Sequence, residues 1–198
     1  MIDSTRIDER WQDLSVVIAW GSSTGYTEEA AVALHRKLGS WVDEVVDIAE
    51  TPFEHVASHD VLILGAPTWH IGELQDDWDD RLEEIANTDL TGKTVALFGC
   101  GDANGYPDNF QDALGILWRE LEPRGATLVG LCSVEGYDFL ESQGLTPDGQ
   151  HFLGLAIDEH AQCHLTDERI TRWAEQVQQE VAALTAKASA VEAHPPAA

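Results

Sequence analysis

Apolar residues fall along the chain in short unbroken runs, separated by stretches of helical spacing. The β-type runs are 15–20 (SVVIAW), 41–48 (WVDEVVDI), 60–66 (DVLILGA), 94–99 (TVALFG) and 126–131 (ATLVGL). Between them, 27–39, 75–86 and 109–122 repeat apolar residues every three or four positions, which predicts amphipathic helices. A last helix is predicted over 166–185, with Thr166 as its cap and Glu168 in its first turn. The segment 52–58 is short and weakly patterned. Strands alternating with helices imply an α/β fold, a doubly wound five-stranded parallel sheet with helices on both faces. The third and fourth runs are almost wholly apolar, as strands covered on both sides should be.

Residues 132–151 (CSVEGYDFLESQGLTPDGQH) break this rhythm after the fifth strand, and the run 152–157 resumes it. They are expected to form an insertion in the last strand, built as a small hairpin. The chain then divides into an N-terminal extension (1–14), one domain (15–185) and an Ala/Pro-rich tail (186–198) expected to be disordered. The N-terminal stretch is charged throughout and lacks the apolar core of a secretory peptide. No apolar run approaches the roughly 20 residues of a membrane helix. A cytoplasmic protein is the default expectation. The three cysteines, Cys100, Cys132 and Cys163, form no CxxC pair, so neither a disulfide framework nor a zinc cluster is expected.

Charge changes the picture most. Against 36 acidic residues stand 11 lysines and arginines, for a net charge of −25. Such a surface repels nucleic-acid phosphates and attracts basic partner surfaces. Docking and solubility at high ionic strength both account for it.

In a parallel sheet, ligands bind outside the strand carboxyl ends where the strand order reverses. That rule selects the loops at 21–27, 67–73 and 100–108. The first, GSSTGYT, holds four serines and threonines and two glycines without lysine or arginine. Unpaired N–H groups and the helix dipole make an anion site there without a cation, and the natural guest is a phosphate monoester. A capping turn without a ligand is the alternative at this point. GxxxxGK[ST] and GxGxxG are both absent, against an NTPase or a conventional dinucleotide site. The other two loops each present an aromatic residue, Trp69 or Tyr106, suited to sandwich a flat ring. His160, Cys163 and His164 lack a credible fourth metal ligand, and no metal is expected. Cys100 is a candidate redox-sensitive thiol if exposed, and Cys132 reads as a buried strand residue. Trp78 and Trp118 are expected to pack in the core.

The stretches GSSTGYTE, PTWHIGELQDDW, GCGDANGYPDNFQDALGIL, EGYDF and GLAIDEHAQCHLTDERITRW carry a specific likeness. Over about residues 15–180 the chain resembles the flavodoxins, and specifically their long-chain class. The resemblance implies strand order 2-1-3-4-5, FMN held non-covalently, and low-potential one-electron transfer between redox proteins rather than enzymatic turnover. It implies that Ser22, Ser23, Thr24, Gly25, Tyr26 and Thr27 wrap the phosphate. Trp69 and Tyr106 would flank the isoalloxazine, Tyr106 the more coplanar of the two. Pro67, Thr68, His70, Ile71 and Gly72 would shape the inner loop. The backbone at Cys100, Gly101 and Asp102 would meet the pyrimidine edge, with Asn109 close to the ring and Asp158 near the ribityl chain. His70 and Cys100 depart from the usual residues at their positions. The implied partners are a flavodoxin/ferredoxin–NADP reductase and a low-potential electron acceptor protein, met by a monomer. A carbonyl of the Trp69–Gly72 loop is expected to accept a hydrogen bond from flavin N5. Asp102, Asp108, Glu73 and Asp158 are expected to lower the potential for the second electron. The rival reading is an NAD(P)H-dependent quinone or FMN reductase on the same fold; a flavin-free interaction module is a further one.

Overall fold

A computed structural model describes residues 9–193. The central sheet is built from β1 (Val16–Trp20), β2 (Glu44–Asp47), β3 (Val61–Gly65), β6 (Thr94–Cys100), β7 (Thr127–Val129) and β10 (Gly154–Ile157). Its order is β10-β6-β3-β1-β2, all parallel, and β7 also pairs with β6. β7 and β10 are therefore two halves of one edge strand, aligned along β6 in succession. Counted that way, the sheet is the expected five-strand unit with an insertion in its last strand.

The period of two sorts the core into layers. Leu62, Leu64, Val95 and Leu97 point to one face, under α2 (Phe53–Ala57), α4 (Leu82–Ala86) and α5 (Asp112–Leu121). Val61, Ile63, Ala96 and Phe98 point to the other, under α1 (Tyr26–Leu38) and α6 (Thr166–Ala193). Trp78, in the short α3 (Asp76–Asp79), is fully buried and donates to the Gly65 carbonyl at 2.7 Å. Trp118 packs against the same layer.

The insertion is pinned by a small hairpin, β8 (Cys132–Ser133) against β9 (His151–Phe152). Its interior is aromatic: Phe110, Tyr137, Phe139 and Phe152 meet at ring separations of 5.1–5.9 Å. Its backbone reaches back to the main domain, where the N–H groups of Leu140 and Glu141 donate to the Pro107 carbonyl.

Several boundaries differ from the sequence expectation. The second strand spans only 44–47, with Trp41 in a preceding 3-10 turn. The expected helix 75–86 is two short helices broken at Asp80 and Arg81, because the Arg81 guanidinium is drawn to the Ile48 and Ala49 carbonyls. The weakly patterned 52–58 contains α2. Cys132 is half-buried and belongs to the insertion hairpin. The last helix continues to Ala193 rather than stopping at 185, so 186–193 is helical. Residues 1–8 of the extension and 194–198 of the tail lie outside the described residues. From the extension, Trp11 stands edge-on to Trp41 at 5.6 Å. No helix among the described residues is long and apolar enough to cross a membrane.

Two stability predictions arise here. Phe152 is fully buried among three other rings, so Phe152→Ala should destabilise by about 3–5 kcal/mol, read as a shifted urea midpoint. Burial alone would raise the Asp60 pKa, but hydrogen bonds from Ser15, with Lys93 and His59 nearby, hold it below the ordinary 3.8. A depressed carboxylate stabilises above its unfolded pKa and loses that stabilisation as pH falls through the folded one. The stability gap between wild type and Asp60→Asn should therefore be open at pH 7 and close below about pH 4.

Candidate functional site

The strands β1, β3, β6 and β10 end together at Trp20, Gly65, Cys100 and Ile157, so four loops leave the same edge. The connection from β1 to β2 and those from β2 to β3 and on to β6 run in opposite directions across the sheet, since β2 and β3 lie on either side of β1. A cavity of about 610 Å³ opens there. It is lined from the first loop by Thr24 and Tyr26, from the second by Pro67, Thr68, Trp69 and His70, and from the third by Cys100, Gly101, Asp102, Tyr106, Asn109 and Phe110. Glu159 and His160, after β10, complete it.

The first loop turns through Gly25 at φ 92°, a left-handed conformation that favours glycine. No side chain caps the first turn of α1. Its leading N–H groups and the positive end of its dipole therefore stand at the cavity end of the loop. The Ser22 hydroxyl accepts from the Gly25 N–H at 2.9 Å and so braces the turn. The Ser23 hydroxyl accepts from the Gln75 amide at 3.3 Å, which leaves its own proton to donate. Thr27 is 1% exposed, and its hydroxyl oxygen has no hydrogen-bond partner. It lies against the Cys100 thiol, close enough to affect it but without normal hydrogen-bond geometry.

The second loop is a tight hairpin, β4 (Thr68–Trp69) against β5 (Glu73–Leu74). Its three turn residues are His70, Ile71 and Gly72, with His70 at φ 45° and Gly72 at φ 82°. Gly72 lies so close to Asp112 and Asn109 that a Cβ there would collide with both side chains. The turn thereby holds the Trp69 indole at the cavity wall, where its Nε1 is buried without a partner. Tyr106, 52% exposed, stands on the third loop. That loop turns through Asp102, whose Oδ1 accepts from the Asn104 and Gly105 N–H groups.

Buried carboxylates tie the loops together. Asp158 accepts from the Ala103, His160 and Ala161 N–H groups, joining the third loop to the one after β10. Asp112 accepts from the Gln143 backbone and amide and from Asn109, joining α5 to the insertion.

Of the residues expected at the site, eleven line the cavity: Thr24, Tyr26, Pro67, Thr68, Trp69, His70, Cys100, Gly101, Asp102, Tyr106 and Asn109. Ser22, Ser23, Gly25 and Thr27 belong to the first loop and the start of α1 without lining the cavity, and Ile71 and Gly72 form the hairpin tip. Asp158 does not line the cavity, because backbone N–H groups occupy its carboxylate. Cys100 is 7% exposed, and burial pushes its thiol up to about 12 despite the Thr27 hydroxyl pulling the other way; it is no exposed redox thiol. Phe110, Glu159 and His160 were not anticipated. The signal for the last two was present: the run 152–157 resumes the split strand, so its carboxyl end shares the ligand edge.

The flavodoxin family model matches residues 18–173. The chain is 49% identical to the flavodoxin of Klebsiella pneumoniae over 164 residues, 83% of this chain and 93% of that one. It is 44% identical to a flavodoxin of Nostoc over 161 residues, 81% and 94% of the two chains. Among solved structures, Fusobacterium nucleatum flavodoxin bound to flavin mononucleotide superposes with a TM-score of 0.79 at 26% identity, over 84% of this chain and 98% of that one. On sequence and fold together, this chain belongs to the flavodoxin family.

Proposed function

We propose that this protein carries single electrons between redox proteins through one FMN held non-covalently in the cavity described above. The observation that carries this reading is the meeting, around one cavity, of an uncapped helix N-terminus and two aromatic walls. Thr27 Oγ1 and Trp69 Nε1, buried and unpartnered at that edge, fit a polar ligand.

The first-turn N–H groups of α1, with the hydroxyls of Ser23, Thr24 and Thr27, hold the phosphate, while Ser22 and Gly25 keep the turn in shape. Trp69 and Tyr106 flank the ring. Cys100, Gly101 and Asp102 face its edge through their backbone, and Asn109 and Phe110 close the floor. The His70–Gly72 turn supplies backbone carbonyls at the reactive edge, and Gly72 gives that segment freedom to reorient. FMN, when bound, supplies exchange of single electrons, a chemistry belonging to the cofactor rather than to protein acids and bases. Asp102 and Glu159 line the cavity as carboxylates. Each opposes an added negative charge about 10 Å away by about 0.4 kcal/mol in water-like surroundings and about 1.7 kcal/mol at an effective dielectric near 20. The site therefore favours a low potential. The hairpin tip, with Ile71 77% exposed, and the acidic surface meet the partners in brief encounters. These are a flavodoxin/ferredoxin–NADP reductase as donor and a low-potential acceptor protein, both reached by a cytoplasmic monomer.

Three measurements test this. The purified protein should bind FMN in equimolar amount with quenched flavin fluorescence. It should stay oxidised with NADPH alone and become reduced once a flavodoxin/ferredoxin–NADP reductase is added; reduction by NADPH alone would favour the quinone or FMN reductase reading instead. Replacing Asp102 and Asp108 together by Asn should raise the potential of the second electron in a potentiometric titration, and an unchanged potential would remove the electrostatic account.

A further inference from the structure

Among the described residues no lysine or arginine lines the cavity. Two histidines do, His70 on the hairpin and His160 after β10. They stand at different places. His70 is edge-on to Trp69 at 5.9 Å, beside the aromatic wall. His160 is edge-on to Tyr26 at 5.7 Å, and Tyr26 is the first residue of α1. His160 is thus the basic side chain that reaches the start of α1, where Thr24 also lines the cavity. Its backbone is fixed, because its N–H donates to the buried Asp158 carboxylate at 3.0 Å.

We infer that His160 is a phosphate-recognition residue, whose imidazolium supplies the one side-chain positive charge at the phosphate end of the cavity. The inference rests on the FMN reading above and concerns how that ligand's anionic end is distinguished from an uncharged one. The first turn of α1 offers dipoles and hydroxyls but carries Glu28 and Glu29, and Glu159 adds a third carboxylate to the cavity rim. A dianion placed there meets repulsion that dipoles alone must overcome. Protonation of His160 offsets it. The other titratable groups at this end are Tyr26 on α1, in ring contact with the imidazole, Asp158 and Glu159 on its own loop, and Asp102 on the third-loop wall of the cavity.

The consequence is an affinity for FMN that strengthens as pH falls through the range where histidine titrates. A unit positive charge about 10 Å from a dianion in water-like surroundings changes an affinity about fourfold. Salt removes the effect, since at 1 M the screening length is about 3 Å. Riboflavin, which has the same ring and ribityl chain but no phosphate, is insensitive to it.

The test measures dissociation constants of FMN and riboflavin by flavin fluorescence, for the full-length protein and for His160→Gln and His160→Lys, at pH 6.0 and 8.5. The ratio of variant to wild type at each pH isolates the imidazole's contribution, which scales with the phosphate's own charge. For His160→Gln the FMN ratio should be near one at pH 8.5 and about two- to fourfold at pH 6.0 in low salt, because a second phosphate pKa of about 6 leaves the group between monoanion and dianion there. It should collapse toward one in 1 M salt. The riboflavin ratio should be near one throughout, and His160→Lys should bind FMN at pH 8.5 more tightly than wild type. An FMN ratio that is flat with pH, or one that riboflavin reproduces, overturns the inference while leaving the FMN reading intact. Failure of the wild-type protein to bind FMN at all overturns the FMN reading and the inference with it.

Discussion

Two buried carboxylates, Asp112 and Asp158, hold the loops at the carboxyl edge of the sheet in one arrangement. Neither faces the cavity. Each is spent on N–H groups from segments far apart in the chain: Asp158 on Ala103, His160 and Ala161, and Asp112 on Gln143 and Asn109. A carboxylate that accepts several backbone N–H groups satisfies its charge without a cation, and it satisfies backbone donors that a loop would otherwise leave unpaired. The parallel register delivers the strand ends to one edge. The two acids then fix where the chain goes after it, and with it the places of Trp69, Tyr106 and His160.

The same economy with cations runs through the protein. Of a chain with 36 acidic residues and 11 lysines and arginines, no basic residue among those described lines the cavity except histidine. Attraction for an anion then rests on oriented dipoles, joined in our inference by His160, which act at short range while the field further out stays negative. The two scales do different work. Short-range N–H and hydroxyl groups suit a phosphate, and the long-range field favours basic partner surfaces and opposes added negative charge in the cavity.

The sheet was legible in the sequence because burial on both faces writes continuous apolar runs, as in Val61–Gly65 and Thr94–Cys100. The split of the last strand was legible too, since 132–151 breaks the rhythm and 152–157 restores it. What failed were elements made by contacts distant in sequence. The helix α2 has almost no pattern of its own; Glu84 accepts its Phe53 N–H at 2.7 Å and fixes its start. The break at Asp80 and Arg81 comes from carbonyls more than thirty positions earlier. The segment 186–193 reads as low-complexity tail yet continues the last helix, for a different reason: alanine is the strongest helix former. At the site, turn chemistry was readable but direction was not. Serine and threonine mark the first loop, yet nothing local says that Ser22 faces the turn, that Thr24 faces the cavity, or that Asp158 turns inward.

The insertion also shapes the outer border of the sheet. An exposed border strand presents a row of free N–H and C=O groups on which another molecule can add a strand. Here an approaching chain meets only the three residues of Thr127–Val129 before the polypeptide departs, and the four of Gly154–Ile157 after it returns. The opposite border, Glu44–Asp47, is as short and begins and ends with a carboxylate. Neither rim offers an uninterrupted uncharged template, so the architecture that braces the third loop also guards the protein against stacking rim to rim into fibrils.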